Sequence, residues 1–159
     1  MATFDQLELE VQSIGNSLRN LDMRDVNDKD GFHLVANLPG TSAATATNYT
    51  HFFTVRHPME VISVSEVHGT AATTGTVTLD VEKLTGTTVP GSGTSILATT
   101  FDLKGAINTP VFKQGIALAA NRQFVQGDRI ALADTGTLTA LDSVQVTLYC
   151  KYLGRGTYR

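Results

Sequence analysis

From Phe32 onward the chain alternates apolar and polar residues in short runs, each closed by glycine, proline or a polar turn. A period of two sends successive side chains to opposite faces of a strand, so such runs build sheets with one face buried. The alternation is cleanest in residues 76–83, where Val77, Leu79 and Val81 share one face and Thr78, Asp80 and Glu82 share the other. It is longest in 143–153, through Val144, Val146, Leu148, Cys150 and Tyr152. Residues 32–38, 49–57, 59–67, 95–103, 115–120 and 129–133 read as further strands between stops such as Pro39-Gly40, Pro58, Gly69 and Gly127-Asp128. Seven or eight short strands with a turn every ten or so residues predict a sandwich. A jelly roll has that number and length of strands. The expected fold class is therefore mainly β, a jelly-roll-like antiparallel sandwich over 32–153. TGTVT (74–78) and TGTLT (135–139) are near copies, each a turn leading into a strand, and too short to be a repeat.

A different period precedes the strands. Phe4, Leu7, Val11, Ile14, Leu18 and Leu21 recur at alternating spacings of three and four. That is a coiled-coil a/d seam, narrower than the stripe of a helix lying on its own domain. Thr3 and Gln6 form a capping box, and Asp5 and Glu8 suit the positive end of the helix dipole. Residues 1–21 are thus expected to form a short N-terminal amphipathic helix for oligomerisation or docking. Two and a half heptads are marginal alone, so assembly needs help from the following domain. Ile14 at d beside Leu18 at a favours three or more strands. The six apolar residues are the expected assembly interface. The competing reading is a helix packed on its own sandwich or on a partner.

Residues 22–31 form an acidic linker, and 154–159 a polar tail. The linker's DVNDKDG run resembles a calcium loop only superficially. With Gly31 at the obligatory sixth position, Val26 occupies the first ligand position and Asn37 that of the bidentate Glu.

Charge restricts the partners. Residues 1–30 carry seven acids and three bases, net −4, and the remaining residues eight acids and nine bases, net +1. No basic arm is available to follow a nucleic-acid backbone, so no nucleic-acid partner is expected. No apolar run approaches the roughly 20 residues of a membrane helix, and no membrane partner is expected. The first residues lack a basic stretch followed by an apolar run, so no signal peptide is expected. Charged residues make up only 17 %, with Thr, Ala and Gly in their place. Cys150, the single cysteine, sits on the apolar face of its strand and reads as a small buried hydrophobe.

Motifs for chemistry do not assemble. His51 and His57 lie six apart in one expected strand, on one face but roughly 20 Å apart, too far to share a metal. His33 and His68 have no carboxylate or thiol at ligand spacing. Gly91-Ser92-Gly93 lacks the spacers of a nucleophile elbow, and no glycine run has the lysine of a phosphate loop. Asp80 and Glu82 share a strand face as glycosidase acids might, but with Lys83 adjacent they read as a solvated face. Trp is absent and aromatic residues amount to 7 %, which disfavours a sugar-stacking platform. No catalytic, cofactor-binding or metal-binding residues are expected, and hence no enzyme and no cofactor.

GTVTLDVEK (75–83), PGSGTSIL (90–97), FDLKG (101–105) and QGDRIALADTGTLTALDSVQVTLYCKY (126–152) resemble small β-sandwich proteins of tailed-bacteriophage virions. These are capsid decoration (cement) and head-fibre proteins, with relatives on tails. The QGDRIAL step (126–132) also resembles the turn-to-strand step of trimeric C1q- and TNF-like jelly rolls. The resemblance implies a non-enzymatic structural protein, made in the host cytoplasm and located on the capsid surface. It implies trimers that contact the major capsid protein or other virion proteins and stabilise the capsid. The alternative it leaves is a tail or adsorption module that binds host cell-surface glycan.

Overall fold

The computed structural model describes residues 31–38, 51–115 and 118–153. The chain divides into two units, Met1–Gly31 and Phe32–Arg159, and the described residues beyond Gly31 all belong to the second. In chain order the strands are β1 (Gly31–Leu38), β2 (His51–Thr54), β3 (Met59–Val67), β4 (Thr78–Leu84), β5 (Thr94–Ser95), β6 (Phe101–Asp102), β7 (Val111–Gln114), β8 (Gln123–Phe124), β9 (Arg129–Thr135) and β10 (Val144–Tyr152). They form two five-stranded sheets. The first runs β1-β10-β3-β7, with β8 also on β3; the second runs β2-β9-β4-β5, with β6 also on β4.

Each sheet ends in a broken edge strand. β7 pairs with Ser63 to Glu66 while β8 pairs with Met59 and Glu60. β5 pairs with Glu82 and Lys83 while β6 pairs with Thr78 and Leu79. An isolated antiparallel bridge between Leu97 and Gly115 joins the two breaks. One side of the sandwich is thereby closed, and no long strand edge is left there to pair with other chains.

The alternation read from the sequence decides which faces meet. Val61, Val64, Val146, Leu148 and Cys150 of the first sheet face Leu79, Val81, Ile130 and Leu132 of the second, all buried in one cluster. Phe101 and Phe124, fully buried on the broken edges, contribute about 1.5–3 kcal/mol each through removal from water. Opposite the Tyr149/Cys150 step the register shifts, so Tyr149 faces Ser63 and Cys150 faces Val61. Ile62 is the extra residue of this bulge, which lets Val61 and Val64, three apart, both point inward.

The expected antiparallel two-sheet β architecture is what the structure has, with three local corrections. The strand expected over 95–103 is broken into β5 and β6. Ser95 Oγ accepts from the backbone N of Leu97 at 3.2 Å and donates to Asp80 Oδ1 at 2.8 Å, a local arrangement that competes with the ladder. The strand expected over 115–120 is instead β7, one step earlier, followed by a helical turn at Ala119–Arg122. β7 was obscured because it inverts the usual pattern: Phe112 is 74 % exposed while Lys113 is half-buried. β2 ends at Thr54, so His57 lies in the following turn and does not share a strand face with His51. The expected N-terminal helix of 1–21, the linker up to residue 30 and the tail 154–159 lie outside the described residues.

Candidate functional site

Carboxylates are the first place to look for chemistry, and here they hold loops. The face carrying Asp80 and Glu82 is covered, contrary to its reading as solvated. Glu82 Oε2 accepts from the backbone N of Gly91 at 2.8 Å and of Gly93 at 3.3 Å. Asp80 Oδ1 accepts from Ser95 Oγ and from the backbone N of Val81, each at 2.8 Å. The PGSG turn therefore folds back over β4. It needs glycine at 93, where a Cβ would lie 2.5 Å from Leu84 Cδ2 and 2.9 Å from both Glu82 Cβ and the Lys83 carbonyl oxygen. Burial pushes the Asp80 carboxyl up, against the pull of Ser95 and Val81. With their lone pairs engaged by the loop, the two carboxylates do not face an open cleft as glycosidase acids would.

Two ion-pair groups close the opposite edge. Arg122 Nε donates to Glu60 Oε1 at 2.7 Å, with Lys151 Nζ 3.9 Å from Oε2. Lys83 Nζ donates to the Gln123 carbonyl at 2.6 Å, lies 3.5 Å from Asp128 Oδ2, and sits 5.5 Å above the Phe124 ring. Lys113 does the same on the facing side, donating to Thr99 Oγ1 at 2.7 Å over the Phe101 ring. An inward-turned lysine of this kind blunts a strand edge.

Asp134 is different. Both of its carboxylate oxygens are out of solvent and have no partner on another described residue, only the pull of Asp134's own backbone N–H, although the residue as a whole is half-buried. Burial pushes its carboxyl above the ordinary 3.8. A group that binds its proton more tightly when folded adds stability that is fully present below about pH 3.8 and lost as pH rises through the folded value. At pH 7 the ionised group is therefore a net cost, and partial exposure puts that cost near the low end of the roughly 1–3 kcal/mol for an unpartnered polar group. Asp134→Asn is expected to raise the melting temperature at pH 7. The gain should close as thermal melts are repeated down to pH 4.

Among the described side chains, His33, His57 and His68 form no metal-binding group. His33 is exposed against Tyr149, ring centroids 5.1 Å apart, and His57 meets Tyr152 edge-on at 6.2 Å. Among the described residues no group of three His, Cys, Asp or Glu side chains could hold a metal. Cys150 is fully buried on the core face, and burial pushes its thiol up to about 12, which removes it from thiolate chemistry.

What the sequence did not reveal is a buried polar pair at the end of β3. Glu66 and His68 alternate on the inward face and are each 1 % exposed, with His68 Nδ1 2.8 Å from Glu66 Oε1. His68 Nε2 faces the carbonyl oxygen of Gly105 at a long 3.4 Å. His68 also lines an open cleft of about 490 Å³ with Asn37, Asn108, Ser143 and Gln145. Asn108 and Ser143 both have positive φ, 54° and 55°. A buried Glu is rare without a partner, and two residues apart in an apolar strand was the available signal.

Among the described residues, half of the exposed large apolar side chains fall within 107–118, and Val35, Val89, Val125 and Tyr152 lie elsewhere. Ile107 (51 %), Val111 (39 %), Phe112 (74 %) and Leu118 (62 %) lie on or beside the β7 edge. The six heptad residues expected to form the assembly interface, Phe4, Leu7, Val11, Ile14, Leu18 and Leu21, lie outside the described residues. Among the described residues no helix is long and apolar enough to cross a membrane.

No protein-family model matches the sequence, and no curated protein sequence matches it. Solved structures do. A chain of the capsid of Ralstonia phage GP4 matches with a TM-score of 0.57 and 12 % identity over 79 % of this chain and 86 % of that one. A chain of the cyanophage Pam1 capsid asymmetric unit matches with a TM-score of 0.54 and 11 % identity over 78 % and 86 %. At such identities the likeness is one of fold, and it spans most of both chains.

Proposed function

We propose that the protein is a non-enzymatic structural subunit of a tailed-phage virion, of the capsid decoration (cement) or head-fibre kind. The observation that carries this reading is the likeness in fold to chains of two phage capsids. The strand order supports it. With each broken edge counted once, the chain visits the sheets in the sequence of an eight-stranded jelly roll, a double Greek key. The carboxylates and lysines described above serve loops and edges, which is the economy of a scaffold.

In this reading the subunit trimerises through Phe4, Leu7, Val11, Ile14, Leu18 and Leu21. Exposed apolar side chains on the β7 edge, Phe112 above all, supply contact area to neighbours. The trimer sits on the capsid surface where subunits of the major capsid protein meet, and it resists their separation. Each further contact is intramolecular once the first has formed, so several weak contacts hold tightly.

The test is sedimentation of purified protein with emptied, expanded phage heads. The expected result is stoichiometric co-sedimentation and a higher temperature of head disruption. Failure to bind heads, with retention on cell-wall polysaccharide instead, would favour an adsorption module on the tail.

A further inference from the structure

We propose that Glu66 and His68 act as a one-proton switch that fastens the loop 105–108, and through it the β7 edge, to the end of β3. The geometry is that of a relay. Both ring nitrogens of His68 face oxygen atoms, Glu66 Oε1 at 2.8 Å and the Gly105 carbonyl at 3.4 Å. The backbone of the same residue accepts from the N–H of Asn108 at 2.8 Å. His68 therefore holds the loop at two points, and three residues beyond Asn108 the chain enters β7.

Proton count decides whether this arrangement is satisfied. A neutral imidazole has one N–H, so it cannot donate to both oxygens. Both ring contacts are matched when the pair holds one extra proton, while Glu66 Oε2 is buried with no partner among the described residues. Then either the imidazolium donates to the carboxylate and to Gly105, or the protonated Glu66 donates to Nδ1 while Nε2–H donates to Gly105. Release of that proton to solvent leaves a carboxylate almost without solvent contact, and one ring nitrogen turns its lone pair to an oxygen.

The surroundings leave the pair to itself. Opposite Glu66 lie Val146 of β10 and Val111 of β7. Lys113 turns to Thr99, Lys104 reaches the Gly75 carbonyl, and Asp102 and Asp142 are exposed. Burial pushes the Glu66 carboxyl up from 4.5, against the pull of His68. By the same linkage as for Asp134, the loop's anchorage is strongest at low pH and weakens as pH rises through the pair's transition.

Amide hydrogen exchange of Asn108, followed by NMR on the full chain and corrected for the intrinsic rate, tests this. Protection is expected to fall about tenfold as pH is raised from below to well above the ordinary carboxyl value of 4.5, while amides in the centre of β4 stay protected. Glu66→Gln, which keeps an acceptor but cannot titrate, should abolish the transition. Constant protection of Asn108, or the same transition in Glu66→Gln, would overturn the proposal. Should that variant fail to fold, ring ¹⁵N shifts of the parent protein decide. Coupled movement of His68 and Glu66 signals supports the switch, and titration of His68 as an isolated imidazole ends it.

Discussion

The double variant Leu7→Asp, Ile14→Asp is expected to run as a monomer in light scattering, and the parent protein as the proposed trimer. Both residues sit on the heptad seam, and a buried leucine or isoleucine is worth roughly 1.5–3 kcal/mol through removal from water. Aspartate forfeits that contribution at two levels of the seam in every copy, and brings like charges together at the axis. A proposed seam of only two and a half heptads would have no reserve to absorb such a loss. The β-domain should keep its circular dichroism, because the substitutions leave its described core cluster, Ala36 to Cys150, unchanged. Incorporation into particles should fall in parallel. A double variant that remains oligomeric would remove the seam from the proposed assembly and leave the β7 edge as the interface to test.

The second large effect is expected at Gly136. It has φ of +97°, and a Cβ there would meet the carbonyl oxygen of Thr76, closer than real Cβ atoms come to backbone. Gly136→Ala therefore combines backbone strain of about 1–3 kcal/mol with displacement of the segment leading into β4, about 1–3 kcal/mol more. That sum is a large share of the stability of a small domain. Gly75 occupies the matching place in the other near copy, with φ of +67°, but nothing lies within 4 Å of its Cβ position. Gly75→Ala is expected to cost only about 1 kcal/mol. Denaturant melts of the two variants should separate them clearly, and equal losses would contradict the packing described.

The pair of TGT segments illustrates what was and was not legible. The sequence reads as two like turns each leading into a strand; in the structure TGTVT runs into β4, whereas TGTLT leaves the end of β9. The register places Thr78 of one opposite Thr135 of the other, so the copies lie against each other. That proximity makes one glycine indispensable and leaves the other merely convenient.

The same division holds elsewhere. β3, β4, β9 and β10 were readable because alternation is a local property, imposed by the pleat on each strand. The broken edges were not readable, because β7 exposes its Phe and turns its Lys inward, which only the facing Thr99 and Phe101 explain. Glu82 looked solvated because nothing in its neighbourhood announces that a turn nine to eleven residues away will cover it. Glu66 and His68 looked like ordinary polar residues of a strand. The sequence alone determined the long strands β3, β4, β9 and β10 and their apolar faces, since those follow from side-chain period and hydrophobicity. Tertiary structure decided which polar groups are buried and whom they serve, because the free energy of a charge depends on neighbours supplied by distant parts of the chain.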